Sequence, residues 1–134
     1  MPILAVHISG EPDPTLSAAI ASALTEATHV HLHKDPAATA VVIDYVPDQH
    51  WFIGGKALAE QGVRSFSLSI KVTHATNTKA EMAAYIEAVF KSVGGLLGRV
   101  HETSYIVVDE VPAIAWGFGG KTQEYRFIAG RIKA

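Results

Sequence analysis

The chain has 134 residues, 49% of them apolar and 18% charged, which supplies a core and argues against disorder. Eleven Lys and Arg stand against 13 Asp and Glu, a formal net charge of −2 with His neutral, so there is no basic stripe for nucleic acid and no polybasic membrane segment. Cysteine is absent, which excludes disulfides, thiolate catalysis and Cys-ligated zinc or iron–sulfur centres.

No apolar run approaches the ~18 residues of a transmembrane helix. The start, Met1-Pro2-Ile3-Leu4-Ala5-Val6-His7, lacks the basic residues and cleavage site of a signal peptide. The expectation is a compact cytoplasmic domain with neither a nucleic-acid nor a membrane partner.

In chain order, Ile3 to Ser9 is a β-prone run. Asp13 before Pro14 suits an N-cap and first helical position. Leu16, Ile20, Ala23, Leu24 and Ala27 then fall on one helical face. His29, His31 and His33 alternate near the end of that helix. On a strand they would share a face and could hold a metal, but a helix C-terminus favours His electrostatically, and no metal or other cofactor is expected. The valine-rich run at 41–46 reads as a strand, followed by Pro47, Trp51 and a Gly54-Gly55 hairpin.

The second half runs through the same order. Phe66 to Thr73 is β-prone, Thr78 with Glu81 forms a capping box, and Met82, Ile86, Val89, Phe90 and Val93 form the apolar helical face. A strand at 106–111 precedes Pro112, Trp116 and Gly119-Gly120. Asp44 and Asp109, Trp51 and Trp116, and Gly54-Gly55-Lys56 and Gly119-Gly120-Lys121 are each 65 positions apart. This is an internal duplication, with units at about 1–65 and 66–134 in a single domain. The repeated Gly-Gly-Lys is therefore hairpin punctuation; a phosphate-binding loop would need glycine where Ala115 stands.

Each unit reads as β-α-β, whose right-handed crossover pairs its strands in parallel. The expected fold is α/β (α+β): a tandem β-α-β repeat with a four-stranded, mainly parallel-paired sheet, two helices on one face and short Gly-Gly hairpins. The bare sheet face then needs cover from other subunits.

Pro2 follows an initiator methionine that is removed when the next residue is small. Removal leaves a secondary amine at the head of a strand, and a buried amine titrates below the usual α-amino range. Such an amine is a general base beside a carbonyl. If Met1 stays, Pro2 is an amide and no base exists.

The proline-started unit, with residues 49–55 reading Gln-His-Trp-Phe-Ile-Gly-Gly, resembles the tautomerase superfamily of the 4-oxalocrotonate tautomerase type. The duplicated pattern is similar to its fused members, which include cis-3-chloroacrylic acid dehalogenase and malonate semialdehyde decarboxylase. The resemblance implies a homotrimer acting on a small-molecule substrate with Pro2 as catalytic base. It sets Ser67 at the equivalent place in unit two, so one site per subunit. It also implies substrate-binding arginines, yet the matching positions hold Pro12, Ala40 and Tyr105, and residues 73–77 contain none. Phe118 lies near the position of the dehalogenase's acidic residue, so dehalogenation and decarboxylation are not expected.

Substitute contacts are His74 at the second strand-to-helix turn, Lys71, Tyr105, and Arg126 in a tail that in fused members lies across a neighbouring site. Lys71 shares parity with Ser67 and is therefore expected on the face of Pro2. Either cation is otherwise a solvated surface charge. Trp51 and Trp116 stand at the family's active-site aromatic, or simply pack their hairpins. The leading expectation is a tautomerase using Pro2 on a keto–enol or α,β-unsaturated acid. The alternatives are a non-catalytic trimeric relative that binds a small ligand or protein, and a ferredoxin-like regulatory domain.

Overall fold

The computed structural model describes residues 1–133. Strand β1 (Ile3–Ser9) leads into helix α1 (Pro14–Leu32) and strand β2 (Ala40–Val46). A short hairpin, β3 (Phe52–Ile53) and β4 (Lys56–Ala57), and one helical turn, α2 (Leu58–Gln61), close the first unit. The second repeats it with β5 (Phe66–Thr73), α3 (Lys79–Leu97), β6 (Tyr105–Val111) and the hairpin β7 (Gly117–Phe118) and β8 (Lys121–Thr122). A terminal helix, α4 (Gln123–Lys133), has no counterpart in the sequence expectation.

The sheet order is β2-β1-β5-β6. Pairing is parallel within each unit and antiparallel between β1 and β5 at the junction. This is the mainly parallel sheet expected. Because β2 lies directly beside β1, no strand of the other half splits the unit as it would in a ferredoxin-like fold.

Local chemistry explains the elements. The Asp13 carboxylate accepts from the Thr15 and Leu16 amides, and Pro14 occupies the first turn of α1. Thr78 and Glu81 form a reciprocal capping box on α3. Gly54-Gly55 and Gly119-Gly120 all have φ between 62° and 80°, the left-handed pair a two-residue hairpin needs. Leu4, Val6 and Ile8 of β1 and Phe66, Leu68, Ile70 and Val72 of β5 alternate onto the face beneath the helices, where all are buried. Each such side chain contributes roughly 1.5–3 kcal/mol of transfer free energy.

The strand registers correct the repeat alignment. Ile3 pairs with Ala40, and Ser67 pairs with Tyr105. Ala40 and Tyr105 are equivalent starts of β2 and β6, so the counterpart of Pro2 is Phe66, not Ser67. Unit two absorbs the slip with four residues, 74–77, between strand and cap, where unit one has three, 10–12. Lys71 therefore lies with Ser67 on the uncovered sheet face, opposite Pro2, where it meets Asp109 at 3.4 Å.

The helices keep the 65-residue spacing. Ile20, Leu24 and Leu32 of α1 correspond to Tyr85, Val89 and Leu97 of α3, all buried. Of the expected α3 face, Val89 and Val93 are buried and Met82 and Phe90 pack against the core, but Ile86 is exposed and Tyr85 takes its core position. Tyr85 hydroxyl meets Thr28 Oγ1 at 3.0 Å between the helices, and Thr28 Oγ1 itself donates to Leu24 O. Burial pushes the phenol up to about 12 despite that bond. Tyr85→Phe removes one buried hydrogen bond and is expected to cost about 1 kcal/mol. A lower urea midpoint at unchanged slope is the measure.

Candidate functional site

The site lies where β1 begins. Pro2 is buried behind Met1 on the helix-facing parity of β1, and its carbonyl accepts from the Ala40 amide at 3.2 Å. Met1 is 40% exposed and lines a cavity of about 500 Å³ together with Lys34, His74, Thr76, Gln123 and Arg126. The terminal amine of Met1 is held below the usual α-amino range, first by burial and then by the charge of Lys34.

Each wall comes from a different element. Lys34 follows His33, the left-handed cap of α1, and its Nζ donates to Thr76 Oγ1 at 2.9 Å. Burial lowers the Lys34 pKa, with Glu81 opposing. His74 opens the turn after β5; its amide donates to Val111 O, and its Nδ1 lies 3.9 Å from Glu110 Oε2. Arg126 on α4 donates from Nε and Nη2 to Phe118 O at 3.1 and 2.9 Å, with its guanidinium 3.8 Å above the Phe118 ring. Gln123, the first residue of α4, is buried; its amide nitrogen donates to Trp116 O, and its side chain donates to Met1 O at 3.4 Å.

Of the residues singled out from sequence, His74 and Arg126 line this cavity, and Pro2 follows Met1 at its edge. Within the single chain, Gln123, Glu124, Arg126 and Phe127 of α4 line this cavity. Trp116 stands one step behind the cavity, through its carbonyl bond to Gln123, and its indole nitrogen is buried without a partner. Trp51 is likewise outside the lining, its carbonyl accepting from Leu58. Lys71 and Tyr105 lie on the uncovered sheet face, Tyr105 with 63% exposure.

Lys34 and Gln123 were missed. A lysine after a helix cap and a glutamine after a hairpin carry no motif; the fold alone brings them to Met1. His29, His31 and His33 do not converge, because the helical turn sends His29 and His31 to different faces, and among the described residues no His, Cys, Asp or Glu group could hold a metal. None of the described helices is long and apolar enough to cross a membrane.

No curated protein matches the chain in sequence. The tautomerase enzyme family model matches residues 2–61, the first unit. The chain is similar in structure to native fused 4-OT, with 20% identity, a TM-score of 0.81, and coverage of 92% of this chain and 97% of that one. It is similar to the Q0 fused 4-OT wild-type symmetric trimer at 20% identity and a TM-score of 0.79, over 91% and 96% of the two chains. Pt0534 inactivated by 2-oxo-3-pentynoate gives 13% identity and a TM-score of 0.80, over 92% and 98%. The first unit thus matches the tautomerase enzyme family, and the chain as a whole has the fold of fused 4-OT, with two β-α-β units in one polypeptide.

Proposed function

We propose that this chain, once Met1 is removed, is a cytoplasmic tautomerase whose Pro2 nitrogen is the general base toward a keto–enol or α,β-unsaturated acid. The observation that carries this reading is the placement of Pro2, buried at the head of β1 directly behind the residue that lines a cation-bearing cavity. The chemistry balances within the pair. Neutral Pro2 takes the proton of the enol hydroxyl, and the O–H electron pair becomes the carbonyl π bond. The alkene pair then takes the proton back from the prolinium at the adjacent carbon, restoring the neutral amine. His74 and Arg126 border the space for the substrate's acid group, and Trp116 supports the wall through Gln123.

We propose a homotrimer as the working assembly. The uncovered sheet face exposes Ile3, Val42, Tyr105 and Val107, an apolar surface that one chain leaves in water. The Q0 fused 4-OT neighbour is described as a symmetric trimer. Lys71 and Tyr105 belong to this face, so their part is in assembly.

A steady-state series tests the catalytic reading. Ketonisation of phenylenolpyruvate by the processed protein is expected to rise with pH through an apparent pKa below the usual α-amino range, because only the neutral amine accepts a proton and Pro2 is buried. Monoacid enols should be preferred to the dicarboxylate 2-hydroxymuconate, since Pro12, Ala40 and Tyr105 replace the family's arginines. Those same replacements favour the second reading, a non-catalytic trimer that binds a small ligand. Correct processing of Met1 with no turnover of any enol would select it.

A further inference from the structure

Gln123 is buried, with 7% exposure, and its backbone is fixed by Trp116 O at 3.0 Å, so its side-chain amide is aimed at Met1 by the start of α4. The acceptor it serves is the Met1 carbonyl. Removing Met1 removes that acceptor, and a buried amide N–H left unpaired is costly. Any oxygen that takes the place of the Met1 carbonyl beside the Pro2 nitrogen satisfies it.

Lys34 addresses the same space from the other side. Thr76 Oγ1 accepts from Lys34 Nζ and donates to Thr73 O at 2.6 Å, which fixes the hydroxyl as an acceptor toward the lysine. Among the described residues no carboxylate lies within ion-pairing distance of Lys34. Arg126 already spends Nε and Nη2 on Phe118 O. Glu124 lines the cavity as well and opposes a second negative charge.

We propose that the space Met1 occupies is a subsite for a 2-oxo monocarboxylate or its enol, with Gln123 donating to the carbonyl oxygen and Lys34 binding the carboxylate. The substrate oxygen takes the place of the Met1 carbonyl, within reach of Pro2, and the Gln123 amide stabilises the negative charge that grows there as the enol proton leaves. The assignment rests on the tautomerase reading for its chemistry, and its binding arm can be read without turnover.

The test uses processed full-length protein and its Lys34→Met, Lys34→Arg and Gln123→Leu variants. The probes are phenylenolpyruvate, the uncharged enol of phenylacetaldehyde, and non-reacting 3-phenylpropanoate followed by calorimetry. Lys34→Met is expected to weaken 3-phenylpropanoate binding and to raise KM for phenylenolpyruvate by about tenfold or more, the loss of a charge-assisted hydrogen bond. Lys34→Arg should recover most of both. The rise in KM should be smaller for the neutral enol, which carries no carboxylate for Lys34 to bind. Gln123→Leu should lower kcat for both enols. If Lys34→Met weakens 3-phenylpropanoate binding in a protein that turns over neither enol, the subsite stands and the tautomerase reading falls. Unchanged affinity for 3-phenylpropanoate and unchanged KM for phenylenolpyruvate in Lys34→Met overturn the subsite, even if turnover is vigorous.

Discussion

Blocking the N-terminal amine, by retaining Met1 or adding a tag, is expected to lower enol turnover by about 10²–10⁴-fold, the usual contribution of a positioned general base. The fold should be untouched, because Pro2 contributes its carbonyl to the β2 pairing, and acylation of its nitrogen leaves that bond to Ala40 in place. Pro2→Ala should fall less far: processing still leaves an amine at the head of β1, primary instead of secondary. Intact mass separates the processed and blocked forms, and circular dichroism confirms the shared fold. Equal rates from the two forms would remove Pro2 from the mechanism. His7 is a useful control. It lies on the opposite parity of β1, on the uncovered face, and His7→Ala should leave the alkaline rate unchanged.

The second large effect concerns assembly. Val42 and Val107 are equivalent residues of the two edge strands and are 52% and 51% exposed on the uncovered sheet face. A Val42→Asp, Val107→Asp double variant costs the single chain little, since both side chains already meet water. In the proposed trimer it places carboxylates in an apolar interface beside Asp44 and Asp109, which lie on the same strand parity. Unpaired buried charge costs several kcal/mol per ion, enough to dissociate a modest interface. Light scattering should report a monomer where the unsubstituted protein is a trimer. A double variant that remains trimeric would show that this face is not the one buried.

Features set by near neighbours in the chain were legible before any fold was known. The bounds of β1 and β5, Ile3–Ser9 and Phe66–Thr73, follow from β-prone runs ended by turn residues. The caps at Asp13 and Thr78 and the Gly-Gly hairpins depend on side-chain and backbone chemistry spanning two to four residues. The proposal for Pro2 rests on the same kind of local property, its place next to Met1.

The tertiary structure alone decided what depends on register and long-range approach. Side chains alternate along a strand with period two, so one residue of slip sends Lys71 to the opposite face from Pro2, and no turn signal marks the extra residue in 74–77. On α3, where neighbouring residues point about 100° apart, Tyr85 fills the core where Ile86 was expected, while Val89 and Val93 of the expected face are buried. Lys34, Gln123 and Met1 are far apart in sequence and carry no shared pattern. They meet because the cap of α1 and the start of α4 both end at the head of β1. Sequence by itself determined the repeat and every main element but α4; packing decided which cations and donors surround the head of β1, because a cavity is a property of distances between elements that no local rule contains.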